Sequence, residues 1–320
     1  MNRIVEMADR IINGELIGKE EAEWLYDQPL EELCSEADRI RRHFCGDQFD
    51  ICTIINAKSG RCSENCRFCA QSAFNHTGVE EYPLLSQDEI VREAKKNDEQ
   101  GVLRYSIVTS GRRLSDAEVD ELCETVRTIR RETRISVCVS LGLLTTEQFQ
   151  KLKEAGVERI HNNLETSRGN FRNICTTHTF DDKVATIKRA QEAGLFVCSG
   201  GIMGLGETKE DRIDMAFSLR ELGIRSVPVN MLNPIPGTPF EHNKRVTPDE
   251  LRRIVAVYRF ILPKAFIRLA GGRGLLPDKG VGCFTSGSNA SISGDMLTTA
   301  GITVQTDMKL LDQLGYRVEA

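Results

Sequence analysis

Three cysteines at short, uneven intervals are the most chemically informative feature of this sequence. Cys62, Cys66 and Cys69 follow one another at CX3CX2C spacing within one short segment. Three thiolates in a single loop can ligate three corners of a cubane 4Fe-4S cluster and leave the fourth iron without a protein ligand. A structural zinc site would need a second, separated pair of ligands. The spacing therefore favours an iron–sulfur cluster whose open iron can bind a substrate.

The composition indicates where such chemistry takes place. The N-terminal segment carries charges throughout and lacks the continuous apolar stretch of a secretory signal, and no later segment is apolar enough to span a bilayer. We therefore expect a cytoplasmic protein, in which 11 cysteines indicate metal chemistry before disulfides. The formal net charge of -5, with both signs interleaved along the chain, predicts no nucleic-acid and no membrane partner.

The elements that must position these cysteines can be read from the apolar pattern. Residues 1–45 have helical spacing, and after them short β-branched runs alternate with amphipathic helices, as in a parallel sheet with crossover helices. We expect helices near 87–100, 115–131, 145–155, 180–193, 208–222 and 248–260. Strands are expected at 51–56, 104–109, 134–140, 159–164, 196–200, 226–230, 266–269 and 290–293.

Eight strands in a chain of 320 residues predict an α/β fold, a single (β/α)8 TIM-type barrel. The expected organisation is an N-terminal helical cap (1–45), a barrel (46–300) and a short C-terminal extension (301–320) with one last helix. Because side chains alternate along a strand, Cys138, Asn230 and Arg268 face away from their apolar neighbours and into the barrel. Burying such groups is costly unless something binds them, so we interpret the interior as a lumen filled by ligands.

Several stretches resemble the biotin synthase family of the radical S-adenosylmethionine (SAM) superfamily, over most of the chain from about residue 45 to residue 318. They are KSGRCSENCRFCAQS (58–72), NNLETS (162–167), NICTTHTFDDK (173–183), VCSGGIMGLGET (197–208), VPVNML (227–232), IRLAGGR (267–273) and CFTSGSNA (283–290). The resemblance implies that SAM binds the open iron of the 4Fe-4S cluster through its amino and carboxylate groups. It also implies that a 5'-deoxyadenosyl radical is then released inside a lumen that shields it from water.

The resemblance assigns five residues to SAM. Phe68 and Ile202 match positions that pack near adenine, and Asn163 and Glu165 match positions that bind the ribose. Lys183 stands where relatives often carry an arginine paired with the SAM carboxylate, so a cation remains but bidentate pairing is lost. From the residues alone, an inward asparagine can equally be a satisfied core group, and the glycine-rich segment 200–207 can be a turn.

The resemblance also implies an auxiliary iron–sulfur cluster deep in the barrel, held in the familiar members by three cysteines and one arginine. Cys138, Cys198 and Arg268 fill three of those positions, whereas Ser106 occupies the fourth. Because serine is a poor ligand for iron–sulfur clusters, we expect Cys52 on the first strand to replace it and Arg268 to act as a charge partner. The cluster would then be an expanded four-iron cluster instead of 2Fe-2S. The alternative is an ordinary 2Fe-2S cluster with Cys52 as a buried thiol.

The implied reaction is sulfur insertion into dethiobiotin between C6 and C9, which closes the thiophane ring of biotin with sulfur from the auxiliary cluster. Asn163 and Asn230 match contacts to the ureido ring of dethiobiotin. Expected partners are a reducing electron donor such as flavodoxin or ferredoxin, sulfide or iron–sulfur assembly proteins, and, as an open option, a second copy of the chain. The alternatives are a related lyase or maturase acting on an amino acid and a non-catalytic iron–sulfur carrier. The role of Cys175 stays open.

Overall fold

The computed structural model describes residues 2–319, and within them nine parallel strands form one closed sheet. The strands follow the order β5-β4-β3-β2-β1-β9-β8-β7-β6, and a further pairing of β5 with β7 closes the ring. They are β1 (Asp50–Lys58), β2 (Arg104–Thr109), β3 (Ser136–Ser140), β4 (Arg159–His161), β5 (Phe196–Cys198), β6 (Gly201–Met203), β7 (Ser226–Met231), β8 (Phe266–Leu269) and β9 (Ala290–Ile292). Because β5 and β6 share one position in the ring, the predicted (β/α)8 barrel is confirmed.

Helices surround this barrel. The N-terminal helices are α1 (Arg3–Ile12), α2 (Lys19–Tyr26) and α3 (Leu30–Cys45), and α3 packs against α9. The crossover helices are α4 (Gln87–Glu99), α5 (Asp116–Glu132), α6 (Thr146–Ala155), α7 (Phe180–Glu192), α8 (Lys209–Glu221) and α9 (Pro248–Ile261). A short α10 (Val281–Phe284) and a final α11 (Val304–Gln313) follow. All the predicted helices are present, and α10 escaped prediction because a single turn has no measurable periodicity.

The helices begin where the sequence provides side-chain caps. Ser115 accepts a hydrogen bond from the backbone N–H of Glu118 at 3.3 Å, and the Glu118 carboxylate accepts one from the backbone N–H of Ser115 at 2.9 Å. Ser86 forms the same reciprocal capping box with Glu89. At the other end of α6, Gly156 takes the left-handed conformation with φ 103°. These signals account for helix boundaries within a residue or two of those predicted. Within residues 2–319, no helix is long and apolar enough to cross a membrane.

The two faces of the sheet differ in chemistry. Val137 and Val139 on β3 are at most 1% exposed and belong to the main apolar core between sheet and helices. Cys138 between them is also buried but lies outside that apolar core. Since paired residues of parallel strands share a face, the register places Ser106 beside Cys138 and His161 beside Cys198. The barrel interior is therefore lined by polar side chains and thiols.

The predicted fifth strand, 196–200, is interrupted. β5 ends at Cys198 and β6 begins at Gly201, because the backbone of this segment approaches its neighbours too closely for side chains. A Cβ atom on Gly200 would lie 2.0 Å from the carbonyl oxygen of Pro228, and one on Gly201 would lie 2.4 Å from that of Glu165. Two glycines in succession permit both approaches.

Candidate active site

The loop that follows β1, residues 59–75, is called the cluster loop and carries Cys62, Cys66 and Cys69. The backbone N–H of Cys62 donates to Gln71 O at 3.0 Å, and that of Cys69 donates to Cys66 O at 3.1 Å. All three cysteines are half-buried. Burial, together with the nearby charge of Cys62, raises the pKa of Cys69 to about 11. The structure therefore places the three predicted ligands on one folded loop.

Two residues inside the CX3CX2C motif tie the cluster loop to a distant segment of the chain. The Asn65 side-chain oxygen accepts hydrogen bonds from the backbone N–H groups of Thr176 at 2.9 Å and Thr177 at 3.2 Å. The buried Glu64 carboxylate accepts from the Thr177 hydroxyl at 2.8 Å and contacts Nδ1 of His178. Sequence reasoning missed both anchoring residues. The signal that could have identified them is that both are polar and lie between two predicted cluster ligands.

Cys175, whose role the sequence left open, belongs to this same junction. Its thiol lies 3.3 Å from the Asn65 side-chain oxygen and 3.3 Å from Nδ1 of His178. The ligand atoms of Cys66, Cys175 and His178 all lie within 4.8 Å of one another. The hydrogen bond between the two thiols raises the pKa of Cys66 and lowers that of Cys175. The Cys175 thiol therefore lies within 4.8 Å of the thiol of a predicted cluster ligand.

The two residues expected near adenine lie in one apolar patch. Phe68 and Ile202 both pack against a small buried cluster that is separate from the main core. Its members are Ile174, Leu205, Leu232 and Phe240. The patch adjoins the cluster loop, since Phe68 sits between Cys66 and Cys69. This arrangement offers a flat aromatic ring an apolar surface beside the predicted open iron.

The residues expected at the ribose are held by the glycine pair. Asn163 accepts a hydrogen bond from the Gly200 N–H at 3.1 Å and donates to the Glu165 carboxylate at 3.3 Å. Glu165 has φ 68° and accepts the Ile202 N–H at 2.9 Å through its carbonyl oxygen. A left-handed conformation at a non-glycine residue is costly, so the surrounding contacts must hold it. The result is a carboxylate kept near the apolar patch.

Lys183 on α7 supplies the cation of this region. Burial raises the pKa of Glu165, and the positive charge of Lys183 opposes that rise. The same charge opposes the rise in the pKa of Cys66 that the Cys175 thiol and burial cause. Lys183 therefore lies near enough to influence both groups, as a partner of a bound carboxylate should.

Asn230 on β7 is already hydrogen-bonded at both ends of its amide. Its nitrogen donates to Gly201 O at 3.0 Å, and its oxygen accepts the Gly271 N–H at 2.8 Å. An amide offers two donors and two acceptor positions, so one of each remains. These contacts agree with the interpretation of Asn230 as a satisfied core residue. They also leave one donor and one acceptor position of its amide for a ligand.

A cavity of about 520 Å³ lies at the mouth of the barrel above β1. Its lining includes Asn56, Ala70, Tyr82, Asn233 and Thr298. Ala70 directly follows the last cysteine of the cluster loop. The side-chain oxygen of Asn56 is buried without a hydrogen-bond partner among residues 2–319. An unpaired polar atom beside a cavity points to a polar ligand group.

Deeper in the barrel, Cys52, Cys138 and Cys198 come together from three strands. Each is at most 8% exposed, and none belongs to the apolar core. Burial raises the pKa of Cys52, and the neighbouring charges of Cys138 and Cys198 raise it further. Ser106 lies in the same place, paired with Cys138 across β2 and β3 and 5% exposed. The lumen therefore contains both candidates for the uncertain ligand position of the auxiliary cluster, Cys52 and Ser106.

Three arginines converge on one carboxylate next to these thiols. Asp50 lies 3.0 Å from Arg104, 3.4 Å from Arg159 and 3.1 Å from Arg268. Nη2 of Arg268 is buried with no properly oriented hydrogen bond among the described residues. Three guanidinium groups against one carboxylate leave an excess of positive charge, which favours an anionic occupant.

The positive charge nearby affects the pKa of the Cys198 thiol. Burial alone would raise its pKa, but a hydrogen bond with His161 and the charges of Arg268 and Arg159 lower the pKa to about 7. The donor set of soft thiolates beside three guanidinium groups fits an iron–sulfur cluster with anionic sulfides. Asp50, Arg104, Arg159 and His161 were not predicted, although each shares a strand face with a predicted residue.

The remaining cysteines have ordinary roles in packing. Cys34, Cys123 and Cys283 belong to the main apolar core, and Cys45 is half-buried at the end of α3. Within residues 2–319, no cysteine forms a disulfide. Their placement indicates that these four thiols are small core or incidental residues.

Comparisons with known proteins identify relatives along nearly the whole chain. A family model of the radical SAM superfamily matches residues 57–219, and one of the Biotin and Thiamin Synthesis associated domain matches residues 228–317. The chain is 60% identical to the biotin synthase of Brachyspira hyodysenteriae, over 98% of this chain and 94% of that protein. It is 56% identical to the biotin synthase of Akkermansia muciniphila, over 99% of each.

Solved structures show the same fold at low sequence identity. Methylornithine synthase is 21% identical, covers 98% of this chain with 97% of its own and has a TM-score of 0.85. The FeFe-hydrogenase maturase of Carboxydothermus hydrogenoformans is 19% identical, covers 98% of this chain with 78% of its own and has a TM-score of 0.83. At these identities the likeness shows the shared fold alone.

Proposed function

Because the chain belongs to the biotin synthase family of the radical SAM superfamily, we propose that it converts dethiobiotin into biotin by inserting sulfur between C6 and C9. The observation that carries this proposal is the presence of two separate thiol sets in one barrel. One lies on the cluster loop, and the other lies deep in the lumen beside Arg268. A lyase or maturase acting on an amino acid has less support, since methylornithine synthase and the maturase share only the fold.

Cys62, Cys66 and Cys69 would hold the 4Fe-4S cluster, and SAM would bind beside it. When bound, the cluster and SAM supply a radical that abstracts hydrogen from unactivated carbon. Phe68 and Ile202 provide the apolar surface for adenine and exclude water from that side. Lys183 provides a cation for the carboxylate of SAM, and Glu165 provides an acceptor for ribose hydroxyls.

Cys52, Cys138 and Cys198 would hold the auxiliary cluster, which supplies the sulfur. Around it, Arg104, Arg159 and Arg268 stabilise negative charge on thiolates and sulfides, while Asp50 holds the guanidinium groups in place. Cys52 is favoured over Ser106 because a thiolate is the softer ligand and the thiol is already in the lumen. With three protein thiolates, one iron of a four-iron cluster would be free to carry an extra sulfide.

Dethiobiotin would enter through the cavity at the barrel mouth and lie between the two clusters. Asn163 and Asn230 flank the glycine pair and each retains hydrogen-bonding capacity for the ureido ring. The unpaired side-chain oxygen of Asn56 offers a further acceptor for a ureido N–H. These residues perform positioning, with little acid–base work.

The expected partners follow from this chemistry. The cluster on the half-buried loop needs an electron donor such as flavodoxin or ferredoxin, and the auxiliary cluster needs sulfide or an iron–sulfur assembly protein after each donation. A cytoplasmic location, the boundaries at residues 45 and 300 and a homodimer remain predictions.

The test is anaerobic incubation of the reconstituted protein with SAM, dithionite and dethiobiotin, followed by mass spectrometry. We expect 5'-deoxyadenosine together with biotin or a thiolated dethiobiotin. A protein that forms 5'-deoxyadenosine without either sulfur-containing product would support the lyase alternative. A protein that forms no 5'-deoxyadenosine would support the non-catalytic carrier.

A further inference from the structure

A second set of metal-binding side chains overlaps the cluster loop. The ligand atoms of Cys66, Cys175 and His178 lie within 4.8 Å of one another, although Cys175 and His178 are outside the CX3CX2C motif. Two thiols and one imidazole are ligands that zinc and ferrous ions bind well. Cys175 is 3% and His178 6% exposed, whereas Cys66 is half-buried, so the set is open to solvent on one side.

The side chains around this set hold it in place without a metal. The Glu64 carboxylate contacts Nδ1 of His178, the ring nitrogen that also lies 3.3 Å from the Cys175 thiol, and this contact fixes the orientation of the imidazole. Glu64 is itself held by the Thr177 hydroxyl at 2.8 Å and by Arg112 at 3.3 Å. The Asn65 side-chain oxygen positions the Cys175 thiol at 3.3 Å. Such support is what a preorganised metal site requires.

We propose that, in the chain lacking its cluster, Cys66, Cys175 and His178 bind a single divalent transition-metal ion such as Zn²⁺ or Fe²⁺, with solvent in the fourth position. Because Cys66 is shared, this ion and the 4Fe-4S cluster exclude each other. The site therefore shields the Cys66 thiolate before cluster assembly, and an ion bound tightly there blocks assembly. The proposal uses only the cluster-free protein, so it stands apart from the reaction proposed above.

The experiment removes the competing ligands first. In a Cys62→Ser/Cys69→Ser background, the CX3CX2C set cannot form a three-thiolate site, whereas Cys66, Cys175 and His178 remain. Titration of this cluster-free protein with Co²⁺ under anaerobic conditions reports thiolate charge-transfer bands and the intense visible bands of four-coordinate cobalt. We expect adding Cys175→Ser or His178→Asn to remove one equivalent of this cobalt signal. A matched control, Cys123→Ser on α5, changes a buried thiol of the main core and should retain the signal.

A further variant tests how much the Glu64 carboxylate contributes to metal affinity. Glu64→Gln keeps the size of the side chain but weakens its hold on His178, and we expect about a 10-fold loss of Zn²⁺ affinity in competition with a chromophoric chelator. Circular dichroism identifies any variant that does not fold. Cadmium-113 NMR of the Cys62→Ser/Cys69→Ser protein gives a readout that needs no further substitution, with a resonance expected for two sulfur ligands and one nitrogen ligand.

The proposal is wrong if folded Cys175→Ser and His178→Asn variants bind Co²⁺ with unchanged stoichiometry and band intensity. Absence of a mixed sulfur and nitrogen resonance from the cadmium-loaded parent would overturn it as well. Neither measurement involves SAM or dethiobiotin, so failure here is distinct from failure to form biotin.

Discussion

The cluster loop and the barrel lumen each gather three thiols, but they do so by opposite means. Cys62, Cys66 and Cys69 lie within one loop, and they are half-buried. The lumen thiols come from β1, β3 and β5 and are brought together only when the barrel closes. A half-buried site on a loop is accessible to an electron donor and to a cosubstrate that enters from solvent. A site built from strands is enclosed and rigid.

The electrostatic surroundings of the two thiol sets differ as well. Near the cluster loop, burial and the neighbouring Cys62 raise the pKa of Cys69 to about 11. In the lumen, burial likewise raises the pKa of Cys52, and it raises that of Cys138 to about 11, whereas His161 and the arginines lower the pKa of Cys198 to about 7 despite its burial. The comparison indicates that the lumen favours one thiolate before a cluster arrives, while the other thiols of both sets rely on the arriving cluster to deprotonate them.

The largest expected effect comes from the cluster loop. Cys66→Ala should abolish both 5'-deoxyadenosine and biotin formation, because the cluster that SAM binds loses a ligand. Iron in the lumen should persist, measured by iron analysis after anaerobic reconstitution. Cys123→Ala serves as the control for a buried thiol. Normal 5'-deoxyadenosine production by Cys66→Ala would refute the assignment.

The second prediction tests the lumen thiols while leaving the cluster loop unchanged. Cys52→Ser should abolish biotin formation while SAM cleavage continues, because only the lumen cluster is affected. Ser106→Ala, made as its matched control, should retain biotin formation. Iron analysis and Mössbauer spectra of the unmodified protein should give about eight irons per chain, four for each cubane. A value of about six, with full activity in Cys52→Ser, would instead support a 2Fe-2S cluster without Cys52.

A smaller effect is expected from the charge in the lumen. Arg268→Met keeps much of the side-chain volume but removes one of three cations beside Asp50. We expect biotin formation to fall about 10- to 100-fold, as for other groups that tune a metal centre from outside its ligands. Cleavage of SAM should change much less. Equal losses in both activities would argue that Arg268 supports the fold and has no specific role at the auxiliary cluster.

The smallest effect is expected from a substitution beside the predicted SAM-binding residues that removes no cluster ligand. Gly201→Ala places a Cβ atom 2.4 Å from Glu165 O, so the segment carrying Asn163 and Glu165 must shift. Overpacking of this kind costs about 1–3 kcal/mol. We expect a raised KM for SAM and a lower melting temperature, with the iron content of the lumen retained. An unchanged KM would remove Glu165 from the SAM site.

The sequence predicted the barrel and the cluster loop because both are encoded locally. Alternation of β-branched runs with capped amphipathic helices needs no long-range information, and CX3CX2C spans a single loop. The lumen thiols could be proposed from strand parity and resemblance. The convergence of Arg104 and Arg159 on Asp50 could not, because it depends on the register between strands that are far apart in the sequence.

The junction of Glu64 with His178 was missed for the same reason. The two residues are separated by three strands, β2 to β4, and three α-helices, α4 to α6, and neither belongs to a repeating pattern. The break between β5 and β6 was missed because the glycine pair reads as an ordinary turn, whereas its cause is the close approach of Pro228 and Glu165. Local periodicity cannot report contacts that only the closed barrel creates.

The central claim is that the lumen thiols hold the sulfur that enters the product. Its most direct test is to reconstitute the protein with iron and ³⁴S-sulfide, remove free sulfide, and allow a single turnover with unlabelled SAM and dethiobiotin. Mass spectrometry should show biotin that carries ³⁴S, and the label should be absent from any product made by Cys52→Ser. Biotin of natural sulfur composition from the labelled protein would contradict the account.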